Sequence, residues 1–255
     1  MTELLNFKLD ETRIEKVIKF QKRHNVGPVD NEFGKQKCNI CGYESDLEFF
    51  SFGANPRPNE KCPNCYSFKR TRTIWFYLEN YTDYLERDDV KILHTAPESS
   101  MYKILKTKLG DNYISSDVVM SKYVDEEIDA QNIPYNDNTF DLIVTSHVLE
   151  HIPDDNKALQ EFYRVLKPGG QFVMMIPTLD ELEKTFELPQ INTDSLRKRY
   201  YKQFDHRRYY GRDVFDKMEN VGFKTLREMK YELLKYRKET IYHNLSYEPI
   251  FIGIK

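Results

Sequence analysis

Residues 129–177 read DAQNIPYNDNTFDLIVTSHVLEHIPDDNKALQEFYRVLKPGGQFVMMIP, and the fold is decided here. FDLIVTS (140–146) is almost continuously apolar, the pattern of a central parallel strand buried on both faces. From about Asp155 to Leu166, the residues Ala158, Leu159, Phe162 and Leu166 recur on one helical face, and Lys167-Pro168-Gly169-Gly170 stops the helix. QFVMMIP (171–177) is the next apolar strand.

The same alternation extends in both directions. VKILH (90–94) reads as a buried strand, with a helix near 98–109 behind it. NYISS (112–116) is a second strand that ends at Asp117, and a short third lies near Tyr123–Ile128. Downstream, a helix near 212–220 stops at Gly222, and FKTLREM (223–229) and EPIFIGIK (248–255) read as antiparallel partners. Repeated βα units predict an α/β fold, a doubly wound seven-stranded sheet with a C-terminal antiparallel strand pair. Such sheets bind ligands at the carboxyl ends of their strands.

The N-terminal third has a different grammar. Asp10 can cap a helix carrying Ile14, Val17, Ile18 and Gln21, which Gly27-Pro28 ends. Cys38-Asn-Ile-Cys41 and Cys62-Pro-Asn-Cys65 follow, and they hold every cysteine of the chain. Two disulfides or four free thiols would also satisfy the count. Two CxxC turns converging on one ion make a tetrahedral four-thiolate shell, however, and zinc suits it. Such a closed shell leaves no position for substrate, so the zinc expected at Cys38, Cys41, Cys62 and Cys65 is structural. Ser67 opens a helix, SFKRTRTIWFYLENYTDYLE, with Ile74, Tyr77, Leu78, Tyr81, Tyr84 and Leu85 as its packing stripe. Lys69, Arg70 and Arg72 at its start read either as a solvated turn or as a contact to a substrate phosphate or carboxylate. The expected organisation is an N-terminal helical segment (1–36), a zinc-ribbon module (37–66), a connecting helix (67–88) and an α/β domain (89–255) with a substrate-side insertion near 178–210.

The chain has 255 residues, 38 Lys and Arg against 41 Asp and Glu, and a formal net charge of −3. That balance argues against a generic polyanion binder and against nucleic acid as the partner. No apolar run approaches the ~20 residues of a membrane span, and the N-terminus lacks the basic start and apolar core of a signal peptide. A cytoplasmic location is expected. Oligomeric state is not legible.

The elements D-A-x-x-x-P, x-F-D-L-I-V, V-L-E-H-I and L-K-P-G-G before an apolar strand, taken together, resemble the second half of class I S-adenosylmethionine-dependent methyltransferases, over about residues 90–229. RPNEKCPNCYSFKRTR resembles a zinc-ribbon extension on some methyltransferases encoded among bacterial glycan-biosynthesis genes. The resemblance implies a Rossmann-like domain, S-adenosylmethionine as cofactor and a set of site positions. Strand one should lead into an acidic residue and a glycine-rich turn, which lets backbone approach the cofactor. Here the turn is His94-Thr95-Ala96-Pro97-Glu98-Ser99-Ser100, without glycine. Either Thr95, Ala96, Pro97 and Glu98 still bind, with Glu98 pairing the cofactor's α-ammonium, or the domain is a scaffold. By the same analogy Asp117 takes the ribose hydroxyls and Val118 the adenine face. Asp129 and Ala130, assisted by Gln131, hold the adenine edge, and Ser146 and His147 face the methionine and sulfonium.

Methyl transfer to oxygen or nitrogen needs an aligned nucleophile and often a base with a pKa near neutrality, for which histidine is the natural candidate. His206, in FDHRRYY (204–210), is the first choice, His147 the second, and His151 shares a helical face with His147 at four residues' spacing. Arg207, Arg208 and Tyr209 are expected to bind the acceptor, and Arg197-Lys198-Arg199 offers either phosphate recognition or a solvated helix face. Three functions are open. The first is O-methylation of a small polar acceptor, a sugar hydroxyl of a sugar nucleotide or surface-polysaccharide (capsule) precursor. The second is RNA base methylation, which the acidic balance weakens, and the third is a non-catalytic partner that keeps the fold.

Overall fold

The computed structural model describes residue 15 and residues 27–53, 56–179, 181–227, 241–246 and 248–255. The helix expected after Asp10 lies outside the described residues, apart from Glu15, as does the end of the strand expected over 223–229. In chain order the elements are β1 (Gln36–Lys37), β2 (Glu44–Ser45), β3 (Phe50–Phe52), β4 (Arg57–Lys61), α1 (Lys69–Tyr81), β5 (Ile92–Thr95) and α2 (Ser99–Leu109). Then come β6 (Tyr113–Asp117), β7 (Glu126–Glu127), β8 (Phe140–Ser146), α3 (Asp155–Val165), β9 (Leu166–Met175), α4 (Asp194–Tyr200), α5 (Val214–Val221), β10 (Lys224–Thr225) and β11 (Ile250–Ile254).

Two compact units divide the described residues. Those up to Leu85, with Glu98–Thr107 and 241–246, form the first; 86–97, 108–227 and 248–255 form the second. The division cuts through α2, so the helix behind the first strand belongs mainly to the cysteine-bearing unit.

The second unit is built on the seven-stranded sheet, in the order β10-β11-β9-β8-β5-β6-β7. The strands β7, β6, β5, β8 and β9 run parallel, while β11 and β10 are antiparallel, β11 to β9 and β10 to β11. From β5 the chain winds outward through β6 and β7, then returns to place β8 on the other side of β5. The boundary between β5 and β8 is therefore the topological switch point, where a sheet of this kind opens a crevice at its carboxyl edge.

Residues 140 and 142–146 of β8 are buried, as the apolar run required. Asp154 caps α3 by accepting from the Lys157 amide at 3.0 Å. The helix buries Ala158, Leu159, Phe162 and Val165, and Phe162 stacks on Phe172 of β9 at 5.0 Å. Each such large side chain contributes about 1.5–3 kcal/mol of burial. The helix ends at Val165, as Lys167-Pro168-Gly169-Gly170 predicts, but those four residues form no loop. They lie within β9, where Gly170 leaves no room for a side chain: a Cβ there would stand 2.9 Å from the Asp141 carbonyl oxygen.

In the first unit, α1 is shorter than the predicted stripe, ending at Tyr81, with Tyr84 and Leu85 buried beyond it. Two small antiparallel pairs, β1–β2 and β3–β4, carry the cysteine turns. Among the described residues no helix is long and apolar enough to cross a membrane.

Candidate active site and four-cysteine centre

The four cysteines are buried, unbridged and mutually close. Cys38 and Cys65 place their Sγ atoms 3.7 Å apart, and so do Cys41 and Cys62. A tetrahedral zinc with bonds of about 2.3 Å sets its sulfurs about 3.8 Å apart, so the donor set fits that ion. The two turns are alike in backbone. The amide of Gly42 donates to the Cys38 carbonyl at 2.8 Å, and that of Tyr66 to the Cys62 carbonyl at 2.9 Å. Gly42 and Tyr66 both sit in the left-handed region, at φ 73° and 63°. The basic cluster at the start of α1 is not a free surface. Arg72 is wholly buried beside the thiols, donating to the carbonyls of Ser67 at 2.6 Å and Asn244 at 2.8 Å. A zinc–tetrathiolate would carry net negative charge, which this guanidinium would offset. Arg70 Nε pairs with Glu98 Oε1 at 2.9 Å. Glu98 thus belongs to the first unit, its other oxygen buried without a hydrogen-bond partner among the described residues.

In the second unit, the turn after β5 lacks glycine but makes the glycine conformation. Ala96 stands at φ 48° and donates its amide to the Ser116 carbonyl at 2.7 Å. A side-chain-bearing residue held there costs roughly 1–2 kcal/mol. One strand away, His147 follows β8 at φ 55°. Both strained residues thus stand at the switch point, where such outliers point to function. The strand ends beside them hold buried hydroxyls, Thr95 Oγ1 and Ser146 Oγ, with no partner among the described residues. Asp117 ends β6, followed by exposed Val118, Val119 and Met120. Asp129 accepts from the backbone and side-chain nitrogens of Gln131 at 2.8 and 3.1 Å. Gln131 in turn accepts from the Asp154 amide at 3.1 Å, joining the expected adenine-edge residues to the cap of α3. Ala130 is packed into the core.

The histidines separate by environment. His94 is buried within β5, its Nδ1 2.9 Å from the Tyr113 hydroxyl, and burial pushes its pKa down to about 3. For His147 burial would lower the pKa, but the carboxylates of Glu150 and Glu248 win and raise it to about 9. Its Nε2 lies 3.1 Å from Glu248, its Nδ1 3.4 Å from Glu150 Oε1. At neutral pH His147 is a cation, not a free base. His206 is 4% exposed and its pKa is lowered, chiefly by burial, so its imidazole is neutral. Its ring lies edge to face with His151 at 4.7 Å.

Arg207 and Arg208 cast the loop that carries this cluster. The Arg207 amide donates to the Glu150 carbonyl at 2.8 Å and its Nε to that of His151 at 2.9 Å. Arg208 Nη1 takes the carbonyls of Leu149 at 2.9 Å and Ile152 at 2.7 Å, and Nη2 that of Pro153 at 3.0 Å. Its remaining donors go to Glu187 at 2.8 and 2.9 Å. All the N–H groups of a guanidinium are thereby engaged, and an acceptor contact from Arg208 would require this arrangement to open. Tyr209 exchanges backbone bonds with Phe186. Glu150, Asp205 and Glu248 escape sequence reasoning. Glu150 lies inside V-L-E-H-I, beside the histidine that drew attention, and only the fold shows it fully buried.

With this geometry in place, the comparisons with known proteins become informative. Residues 79–174 match the family described as methyltransferase domain. The second unit has the class I methyltransferase fold. The ubiquinone/menaquinone biosynthesis C-methyltransferase of Vibrio campbellii is 37% identical over 92 residues, 35% of this chain and 34% of that protein. Its counterpart in Psychromonas ingrahamii is 36% identical over 96 residues, 36% of each chain. The chain thus spans about a third of the length of these curated relatives. Among solved structures, the YcgJ protein from Bacillus subtilis is similar at a TM-score of 0.45 and 17% identity, over 66% of this chain and 93% of that one.

Proposed function

We propose that the protein transfers the methyl group of S-adenosylmethionine to a hydroxyl of a small polar acceptor, a sugar or sugar nucleotide of surface-polysaccharide metabolism in the cytoplasm. The carrying observation is the pair of left-handed residues, Ala96 and His147, at adjoining strand ends, beside buried hydroxyls that have no partner among the described residues. Strain and unsatisfied polarity at a switch point are what a bound ligand would compensate. When bound, the cofactor supplies an already activated methyl group. The chain's part is to bind, orient and deprotonate. Asp117 would accept from ribose hydroxyls, Val118 would cover the adenine, and the Asp129–Ala130–Gln131 turn would hold its edge. The acceptor's proton leaves toward the Glu150–His151–His206 cluster, where His206 is uncharged. The sugar is supported by the resemblance of the zinc-ribbon segment to glycan-gene methyltransferases. We propose zinc at Cys38, Cys41, Cys62 and Cys65, as a structural ion.

The test is calorimetric titration of zinc-replete protein with S-adenosylmethionine and S-adenosylhomocysteine. Micromolar binding is expected, weakened about tenfold or more by Asp117→Ala, the value of a hydrogen bond to a charged group. Sugar nucleotides are then screened as acceptors by product mass and NMR. The names of the curated relatives describe carbon methylation, and a methyl carried on carbon in the product would replace the hydroxyl reading. A folded protein that binds neither cofactor form would sink it.

A further inference from the structure

Glu150, His151 and His206 each offer one ligand atom, and these atoms all lie within 4.8 Å of one another. From them we infer that the second unit binds one divalent first-row transition-metal ion, at a site distinct from the four-cysteine centre. This goes beyond methyl transfer and holds whether or not a sugar is the acceptor; an imidazole that ligates the ion is not free to take a proton, so His206 is the base only in the metal-free site.

The first argument is unmet polarity. Glu150 is fully buried, yet neither carboxylate oxygen has a hydrogen-bond partner among the described residues. His206 is 4% exposed, and neither ring nitrogen has one. The His147 imidazolium offsets part of the Glu150 charge but leaves both oxygens without a hydrogen bond among the described residues, and natural proteins hydrogen-bond such a buried carboxylate or give it a metal. The nearest imidazole nitrogens stand off: His147 Nδ1 at 3.4 Å and His151 Nε2 at 3.9 Å from Glu150 Oε1.

The second argument is orientation. His151 turns Nδ1 toward Asp205 Oδ2 at 3.3 Å, so Nε2 is the nitrogen that faces Glu150. A carboxylate behind the distal nitrogen of a histidine is the usual outer partner of a metal-ligating imidazole, fixing both tautomer and ring. The Glu150 and His151 carbonyls are held by Arg207, whose sequence neighbour is His206, so one short segment positions all three ligands.

The third argument is donor chemistry. Two imidazoles and one carboxylate select transition ions over magnesium or calcium, which prefer oxygen alone. Three protein ligands leave open positions, the mark of a site that takes substrate oxygen rather than one that only braces the fold. An ion bonded at about 2.0–2.2 Å holds tetrahedral ligands about 3.4 Å apart. Binding therefore draws the outermost pair together by at most about 1.4 Å, within the reach of side-chain rotation.

The probe is Co2+ added to full-length protein loaded with one equivalent of zinc per chain, which the thiolates take and hold against cobalt. Absorption spectroscopy and elemental analysis are read together. The expected result is one cobalt beside one zinc per chain, with ligand-field bands but no thiolate charge-transfer band. Glu150→Gln and His206→Ala each weaken cobalt binding by at least about tenfold while zinc content holds, and Asp205→Asn weakens it by about tenfold as an outer partner. Circular dichroism confirms that each variant is folded, and Asp205→Asn, at a partly exposed position, guards against misfolding of the buried ones. Three outcomes overturn the inference. They are no second equivalent on folded wild type, cobalt bound only with thiolate charge transfer and loss of zinc, and second-site binding indifferent to all three substitutions. Cofactor binding is measured separately by calorimetry, so failure of the methyl-transfer reading leaves this result standing.

Discussion

Replacing Arg208 should damage the second unit more than any other single change near the cluster. Its guanidinium is 1% exposed and holds the carbonyls of Leu149, Ile152 and Pro153 together with the Glu187 carboxylate. It also stands 3.8 Å from Asp155. Arg208→Ala leaves three loop carbonyls short of a donor and removes the charge facing Asp155. Each buried group left unsatisfied costs about 1–3 kcal/mol, and breaking a buried ion pair from one side costs about 3–5 kcal/mol. These overlap, since water will reach part of the loop, so we expect about 3–5 kcal/mol in total. For a domain of this size that lowers Tm by roughly 10 °C. Arg208→Lys keeps the charge but not the planar fork, and should recover less than half of the loss. Thermal melts by circular dichroism measure both. Native-state proteolysis within 149–153 should rise in parallel. An Arg208→Ala protein within about 1 kcal/mol of wild type would refute the reasoning, because the loop would then need no such tether.

Three further outcomes follow from the same structure. Removing zinc with a chelator, or Cys62→Ser, should unfold the first unit, seen as red-shifted emission of Trp75, which is buried there. Ala96→Gly should leave stability equal or raise it by up to about 1 kcal/mol, because relief of a strain of about 1–2 kcal/mol is partly offset by chain entropy. Ala96→Val should lower it, with denaturant midpoints as the readout. Asp155 supplies the pH test. Burial alone would raise its pKa, but Arg208, Lys217 and Tyr210 hold it below the ordinary carboxylate value. A depressed folded-state pKa contributes stability that is fully present above the unfolded value of about 3.9 and is lost as pH falls through the folded one. The stability difference between wild type and Asp155→Asn should therefore be constant at neutral pH and shrink under acid, as urea titrations across that range will show.

The parallel core of the sheet was legible because its strands are buried on both faces, and burial on both faces leaves an unmistakable run of apolar residues. FDLIVTS appears in the structure with the bounds the sequence implies. The tail of the α3 pattern was read one residue too far, because Leu166 is apolar in either element and only sheet pairing assigns it to β9. The cysteine centre was legible from spacing alone, since ligands that close a small ring must be near in sequence. The acceptor side was not. Arg207 and Arg208 look like anion binders in sequence, and nothing local to them reveals carbonyls more than fifty residues away. Glu150 drew no reading for the same reason: its burial comes from residues far off in the chain.

Local rules break in this chain at particular places. Of the non-glycine residues held in left-handed backbone, Ala96 and His147 adjoin neighbouring central strands, where turn chemistry would have supplied glycine at no steric cost. The Thr95 and Ser146 hydroxyls beside them, and Glu150 and His206 beyond His147, are buried polar groups without hydrogen bonds among the described residues. A stable sheet needs none of these violations, and β6 to β9 satisfy their backbone pairing without them. Strain and unmet polarity that converge on one switch point, while the rest of the unit packs by rule, are retained because something outside the chain completes them. The two sets ask for different things. The strained turns and hydroxyls offer backbone and neutral donors to an organic ligand, and the carboxylate with its imidazoles asks for a cation. The proposed cofactor would meet the first demand and the proposed metal ion the second.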